Sequence, residues 1–149
     1  MKTLIRLMLL SFVIAGGVAI ASADMPGYHP TYVHALSDLR DARAHLDYHT
    51  PNEKRDAEED RAIQAITGAI DAAKRAAIED GKDVKDALPV DVRLPRTDRY
   101  HKALELLGTA HRDVSTREDN PRARELQSQA IARIDEARHI VEKLIERYH

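Results

Sequence analysis

The chain has 149 residues, 43% of them apolar and 32% charged, with a formal net charge of −2, eight histidines and no cysteine. That charge balance gives no electrostatic reason to expect nucleic-acid binding. The missing cysteine excludes disulfides, thiolate zinc, a lipoprotein anchor and covalently attached c-type haem.

The chain begins with a targeting pattern. Lys2 and Arg6 precede an apolar run from Leu7 to Ala21, and Ala21-Ser22-Ala23 is an A-x-A cleavage signal. Residues 1–23 therefore read as a Sec-type signal peptide cut after Ala23, which predicts a periplasmic or secreted protein. The run is short for a spanning helix, and no second apolar segment follows, so no membrane insertion is expected after cleavage. Residues 24–149 suit one domain. Losing Lys2 and Arg6 leaves 21 Lys and Arg against 25 Asp and Glu.

Four helices are predicted after that, near 30–48, 51–80, 98–117 and 121–148. In the first, Tyr32, Leu36, Leu39, Arg43 and Leu46 recur at alternating steps of four and three. Such a stripe faces a partner helix. The second carries Ala62, Ile63, Ile66, Ala69, Ile70 and Ala73. Thr50-Pro51-Asn52-Glu53 reads as the capping box that opens it, and Gly81 as the residue that closes it. Residues 81–97, with Pro89 and Pro95, form a long crossing linker. Its Val84, Leu88, Val90, Val92 and Leu94 are expected to pack against the bundle. The third helix repeats the first stripe as Tyr100, Leu104, Leu107, His111 and Val114. Asn120-Pro121 opens the fourth, which carries Ala130, Ile134, Ala137, Val141 and Leu144.

The third helix is a near-copy of the first. Tyr32, Ala35, Leu36, Leu39 and Ala42 match Tyr100, Ala103, Leu104, Leu107 and Ala110 at an offset of 68. The same offset pairs Ala62, Ile63, Ile66 and Ala69 with Ala130, Ile131, Ile134 and Ala137. One αα-hairpin cannot cover its own apolar stripe, but two can cover each other. The expected fold is all-α: an antiparallel four-helix bundle built from two repeated αα-hairpins. The repeats span about 30–80 and 98–148, with the linker at 81–97.

The segment His29 to Arg43, "HPTYVHALSDLRDAR", resembles an H-P-x-Y-x-x-A-L-x-D-L-R-x-A-R pattern in small exported helical-bundle proteins of bacteria whose function is unknown. The resemblance covers the first helix firmly and the remainder loosely. It implies a helical bundle and no activity, cofactor or site residue.

The strongest candidates for chemistry lie on the first helix. His34, Asp38, Asp41, His45 and His49 share a face opposite Leu36 and Leu39, where a solvated polar surface is expected. They are also candidate metal ligands. His45 and His49 have the four-residue spacing at which two imidazoles can share a divalent ion, and carboxylate with neutral imidazole suits Zn, Ni or Cu(II). Arg43 and His111 fall at matching places inside the two apolar stripes, where a charge must pair or reach solvent. Non-covalent haem would need axial His or Met inside the bundle. His111 is the single histidine on a core stripe, so no cofactor is expected. Ser37, Ser115 and Ser128 have no nucleophile elbow, and the glycines form no phosphate-cradling loop. Gly108 lies near the seam, where it would let two helices approach closely, and Gly68 falls on the outer face. The reading is a non-enzymatic interaction or structural bundle with an unidentified protein partner. The alternative is a periplasmic or extracellular divalent-metal-binding protein that uses surface histidines.

Overall fold

The computed structural model describes residues 30–84 and 90–149. The expected signal peptide at residues 1–23, and Leu88 and Pro89 of the expected linker, lie outside the described residues. Among those described there are four helices and no strand: α1 (Tyr32–Asp47), α2 (Ala57–Glu79), α3 (Arg96–Val114) and α4 (Pro121–Tyr148). None is long and apolar enough to cross a membrane.

α1 packs on α2 and α3, and α4 packs on the same two; the α2–α4 face is the most extensive. Hydrogen bonds fix which ends meet. Thr31 N donates to Asp113 O (3.3 Å), and Asn120 Nδ2 donates to Glu79 O (3.0 Å). At the other end Arg96 donates to Lys54 O (3.0 Å), and the Tyr148 hydroxyl to Asp56 Oδ2 (2.9 Å).

The core follows the stripes. Tyr32, Leu36, Leu39 and Leu46 of α1 bury against Ile66, Leu107, Ile134 and Leu144, each 1% exposed or less. Alanine supplies about half of the buried apolar side chains, and its small volume lets the helices close together around the two buried tyrosines, Tyr32 and Tyr100. Gly108 plays no part in that approach. A Cβ there would meet only Arg112 of its own helix, at 3.9 Å. Along the linker, Val84 packs against the core, Val90 and Val92 are half-buried, and Leu94 stays 40% exposed.

The second helix starts later than the sequence pattern suggests. Thr50 to Glu53 do bond to each other, Glu53 N to Thr50 O (3.0 Å) and Thr50 N to the Glu53 carboxylate (3.2 Å), but they make an isolated turn. The helix opens at Ala57 on a better box: Asp56 accepts from Glu58 N (2.9 Å), and Glu59 reaches back to Asp56 N (2.7 Å). Two acid caps facing three orphan amides favour this start. The far end is as expected. Gly81 takes φ 71°, and Lys82 N to Ala77 O (2.9 Å) with Gly81 N to Ile78 O (3.0 Å) closes the helix as a Schellman turn. α3 stops at Val114 because the Gln127 amide takes Val114 O and Thr116 O, both at 2.6 Å. Asn120 and Pro121 open α4 as expected, with Arg122 N donating to Asn120 Oδ1 (3.0 Å).

Candidate functional site

The five polar candidates do not act as one stripe: α1 ends at Asp47, which leaves His49 beyond the extended cap residue Tyr48, and the structure divides the five into three surroundings. His34 and Asp38, one turn apart at the start of α1, meet Asp113 from the last turn of α3. One ligand atom of each lies within 4.8 Å of the others. His34 Nδ1 is 2.5 Å from Asp113 Oδ2. That contact raises the pKa of His34, first by the hydrogen bond and then by the charge of Asp113. Asp38 is half-buried, and burial pushes its carboxyl up. One of its oxygens, Oδ2, is enclosed and has no hydrogen-bond partner.

His45 was expected on the solvated face and is instead 2% exposed. α1 packs on α2 and α3, and the charges of Lys102 and Arg99 on α3 and of Asp91 reach His45, so the end of the polar face is covered where solvent was expected. Its Nδ1 has no hydrogen-bond partner. Burial pushes its pKa down; Lys102 and Arg99 add to this, while Asp41 and Asp91 oppose it. Asp41 is half-buried, its carboxyl raised by burial and partly restored by His45. The sign of the pH effect follows. The folded pKa of His45 lies below the ordinary 6.5, so its contribution is complete above that value and is lost as pH falls below it. Between about pH 7.5 and 5.5 His45 lowers stability as acid is added while His34, with its raised pKa, opposes it, so urea unfolding of His45→Leu should show stability changing more favourably with acid than the parent. A slope that the substitution leaves unchanged would assign the effect to another group.

His49 turns away from His45 altogether. Its Nε2 lies 3.0 Å from Glu59 Oε2, and its Nδ1 lies 2.9 Å from Asp47 O. Glu59 is the centre of a buried polar cluster at this end of the bundle. At 1% exposed, its carboxylate accepts from the Tyr100 hydroxyl (2.5 Å), from Asp56 N (2.7 Å) and from Arg96 (3.2 Å). Burial alone would raise its pKa, but Asp56 N–H, Tyr100, His49 and Arg96 outweigh this and hold it below the usual range. Around this centre, Arg99 donates to Glu53 (2.6 Å) and Leu94 O (2.6 Å), and Arg147 donates to Asp56 (2.8 Å). At the opposite end, the Tyr32 hydroxyl donates to the buried Glu118 (2.7 Å).

The sequence reading missed Glu59, Gln127 and Asp113. Two of them had a signal. Glu59 precedes Ala62, Ile66 and Ala69 at the stripe spacing, and Gln127 precedes Ala130, Ile134 and Ala137 in the same way. A polar residue in a core register must find buried partners. Asp113 had none, since its meeting with α1 is set by tertiary packing.

Arg43 and His111 are both half-buried; His111 meets Ser115 Oγ (3.3 Å) one turn on and Asp135 of α4 (3.4 Å) across the helix pair. Gly68 opens the floor of a groove of about 640 Å³ between α2 and α4, where the Arg133 stem lies 3.5 Å from the place a Cβ would occupy. Four of the charges around that groove pair with each other, Arg61 with Glu58 (3.0 Å) and Arg133 with Glu136 (2.8 Å).

Compared with known proteins, the chain matches no family model, no curated protein and no solved structure.

Proposed function

We propose that this is an exported, non-enzymatic helical bundle that works through its surface, as an interaction or structural protein, and that its four helices form an antiparallel bundle of two repeated αα-hairpins joined by a long linker. Burial supports the repeat. At the offset of 68, Tyr32 and Tyr100, Leu39 and Leu107, Ile66 and Ile134, and Glu59 and Gln127 are all buried, while Ile63 and Ile131 are both half-buried. The end contacts support the directions, since the start of α1 bonds to the end of α3 and the start of α4 to the end of α2. Export rests on the leader pattern of residues 1–23.

One observation carries the non-catalytic reading. The buried carboxylate of Glu59 is spent on tying helix ends, with its pKa held down rather than poised for proton transfer. The alternative, metal binding through the histidines of α1, loses the chelate that motivated it, because His45 is enclosed and His49 is turned to Glu59.

The experiment is a photo-cross-link in the native cell envelope. A photoreactive residue placed at Val33 or Ile78, apolar side chains 46% and 57% exposed, should yield a discrete heavier adduct. The same sample should have its N-terminus at Asp24 by mass spectrometry. A chain that forms no adduct from any exposed position would sink the interaction reading, and a retained Met1 would sink the export reading.

A further inference from the structure

We propose that His34, Asp38 and Asp113 form a surface site for a divalent first-row transition-metal ion. The donor set is one imidazole nitrogen and two carboxylates, which suits Zn and its neighbours rather than a purely oxygen-seeking ion such as Ca. Two carboxylates and a neutral imidazole balance the charge of a dication. The three ligand atoms lie within 4.8 Å of one another. Bonds of about 2.1 Å to a shared ion place ligands about 3–4 Å apart, so the set needs only side-chain adjustment. The adjustment has a direction. The 2.5 Å between His34 Nδ1 and Asp113 Oδ2 must widen to admit an ion between them, and His34, with its side chain 59% exposed, is free to give way.

The backbone beneath is already set. His34 and Asp38 stand one turn apart on α1, so they share a face. Asp113 is held against that face by its own carbonyl, which accepts Thr31 N at 3.3 Å. The second observation is Asp38 Oδ2, which is enclosed and has no hydrogen-bond partner, on a residue that offers a ligand atom within 4.8 Å of those of His34 and Asp113. An unsatisfied carboxylate oxygen is costly, and a cation at this point would satisfy it. A simple surface ion pair between His34 and Asp113 gives Asp38 no role, so Asp38 separates the two explanations. With three protein ligands, the remaining positions on the ion belong to water, and the site is open to exchange.

The test is calorimetric titration of Zn²⁺ into the exported chain carrying no affinity tag. One ion per chain is expected, with a dissociation constant in about the micromolar range. Asp38→Asn, Asp113→Asn and His34→Ala should each weaken binding by about tenfold or more. Asp41→Asn and His49→Ala should leave it within about twofold. Bound Co²⁺ should give visible absorption that Asp38→Asn removes. The metal-free Asp38→Asn variant, which changes no size, should keep the circular dichroism of the parent, so its loss of binding is not a loss of fold. Absence of a stoichiometric site overturns the proposal. So does binding that is indifferent to Asp38 and Asp113, which would mark scattered histidines as the ligands.

Discussion

Glu59→Ala is expected to destabilise the protein by about 3–5 kcal/mol, the range seen when one partner of a buried charged cluster is removed. The Tyr100 hydroxyl, the His49 ring, the Arg96 guanidinium and Asp56 N all converge on this carboxylate. Removing the acceptor leaves those groups facing each other inside the bundle, and Arg96 becomes a half-buried cation without its counter-charge. Glu59→Gln should cost less, about 1–3 kcal/mol, because the amide keeps one acceptor oxygen but turns a donor toward donors. Urea unfolding followed by circular dichroism measures both. A loss below about 1 kcal/mol for alanine would reduce the cluster to the status of a surface ion pair. Acid supplies an independent check. The folded pKa of Glu59 lies below the ordinary 4.5, so its contribution is complete above that value and disappears as pH falls through the lower folded one. The parent should therefore lose stability in that acid window more steeply than Glu59→Gln.

Leu39→Ala and Leu107→Ala should each cost about 2–4 kcal/mol and by similar amounts. Both side chains are 0% exposed and stand at the same place in the proposed repeat. Each follows buried alanines, Ala35 and Ala103, and precedes others, Ala42 and Ala110. Neighbours this small cannot swing in to fill the space left by a leucine, so the cavity persists and its cost is felt. Denaturant midpoints at constant m-value would read the pair. If one substitution is neutral while the other unfolds the chain, the duplicated hairpin fails for that helix.

What the sequence made legible was local. The stripes from Tyr32 to Leu46 and from Tyr100 to Val114 fall on the core except at Arg43, Leu104 and His111, which are half-buried, and Gly81 and Asn120-Pro121 mark real helix ends. Each of these rests on neighbours within a turn or two. The start of α2 was misread because two capping boxes compete, Thr50–Glu53 and Asp56–Glu59, and only the second has a carboxylate at the cap. The site was harder. His45 and His49 have a chelating interval, but rotation of α1 against α2 and α3 buries one ring, and Glu59 captures the other. The partner that His34 does meet, Asp113, lies 79 residues away, and no periodicity announces it.

The pairing of helices also bears on how the chain reaches this state. Its broadest face joins α2 to α4, and α1 leans on α3, so the main contacts link opposite halves of the polypeptide. Helical proteins usually fold fast because their contacts are close in sequence; here the two most extensive faces join helices that are not neighbours along the chain. Each pair of neighbouring helices can meet early, but its apolar face stays open until the other pair docks on it. During that wait, the seam of one chain is complementary to the half it lacks, and a second chain carries the same half. Exchange of hairpins between molecules is therefore the natural error of this architecture, growing with concentration during refolding.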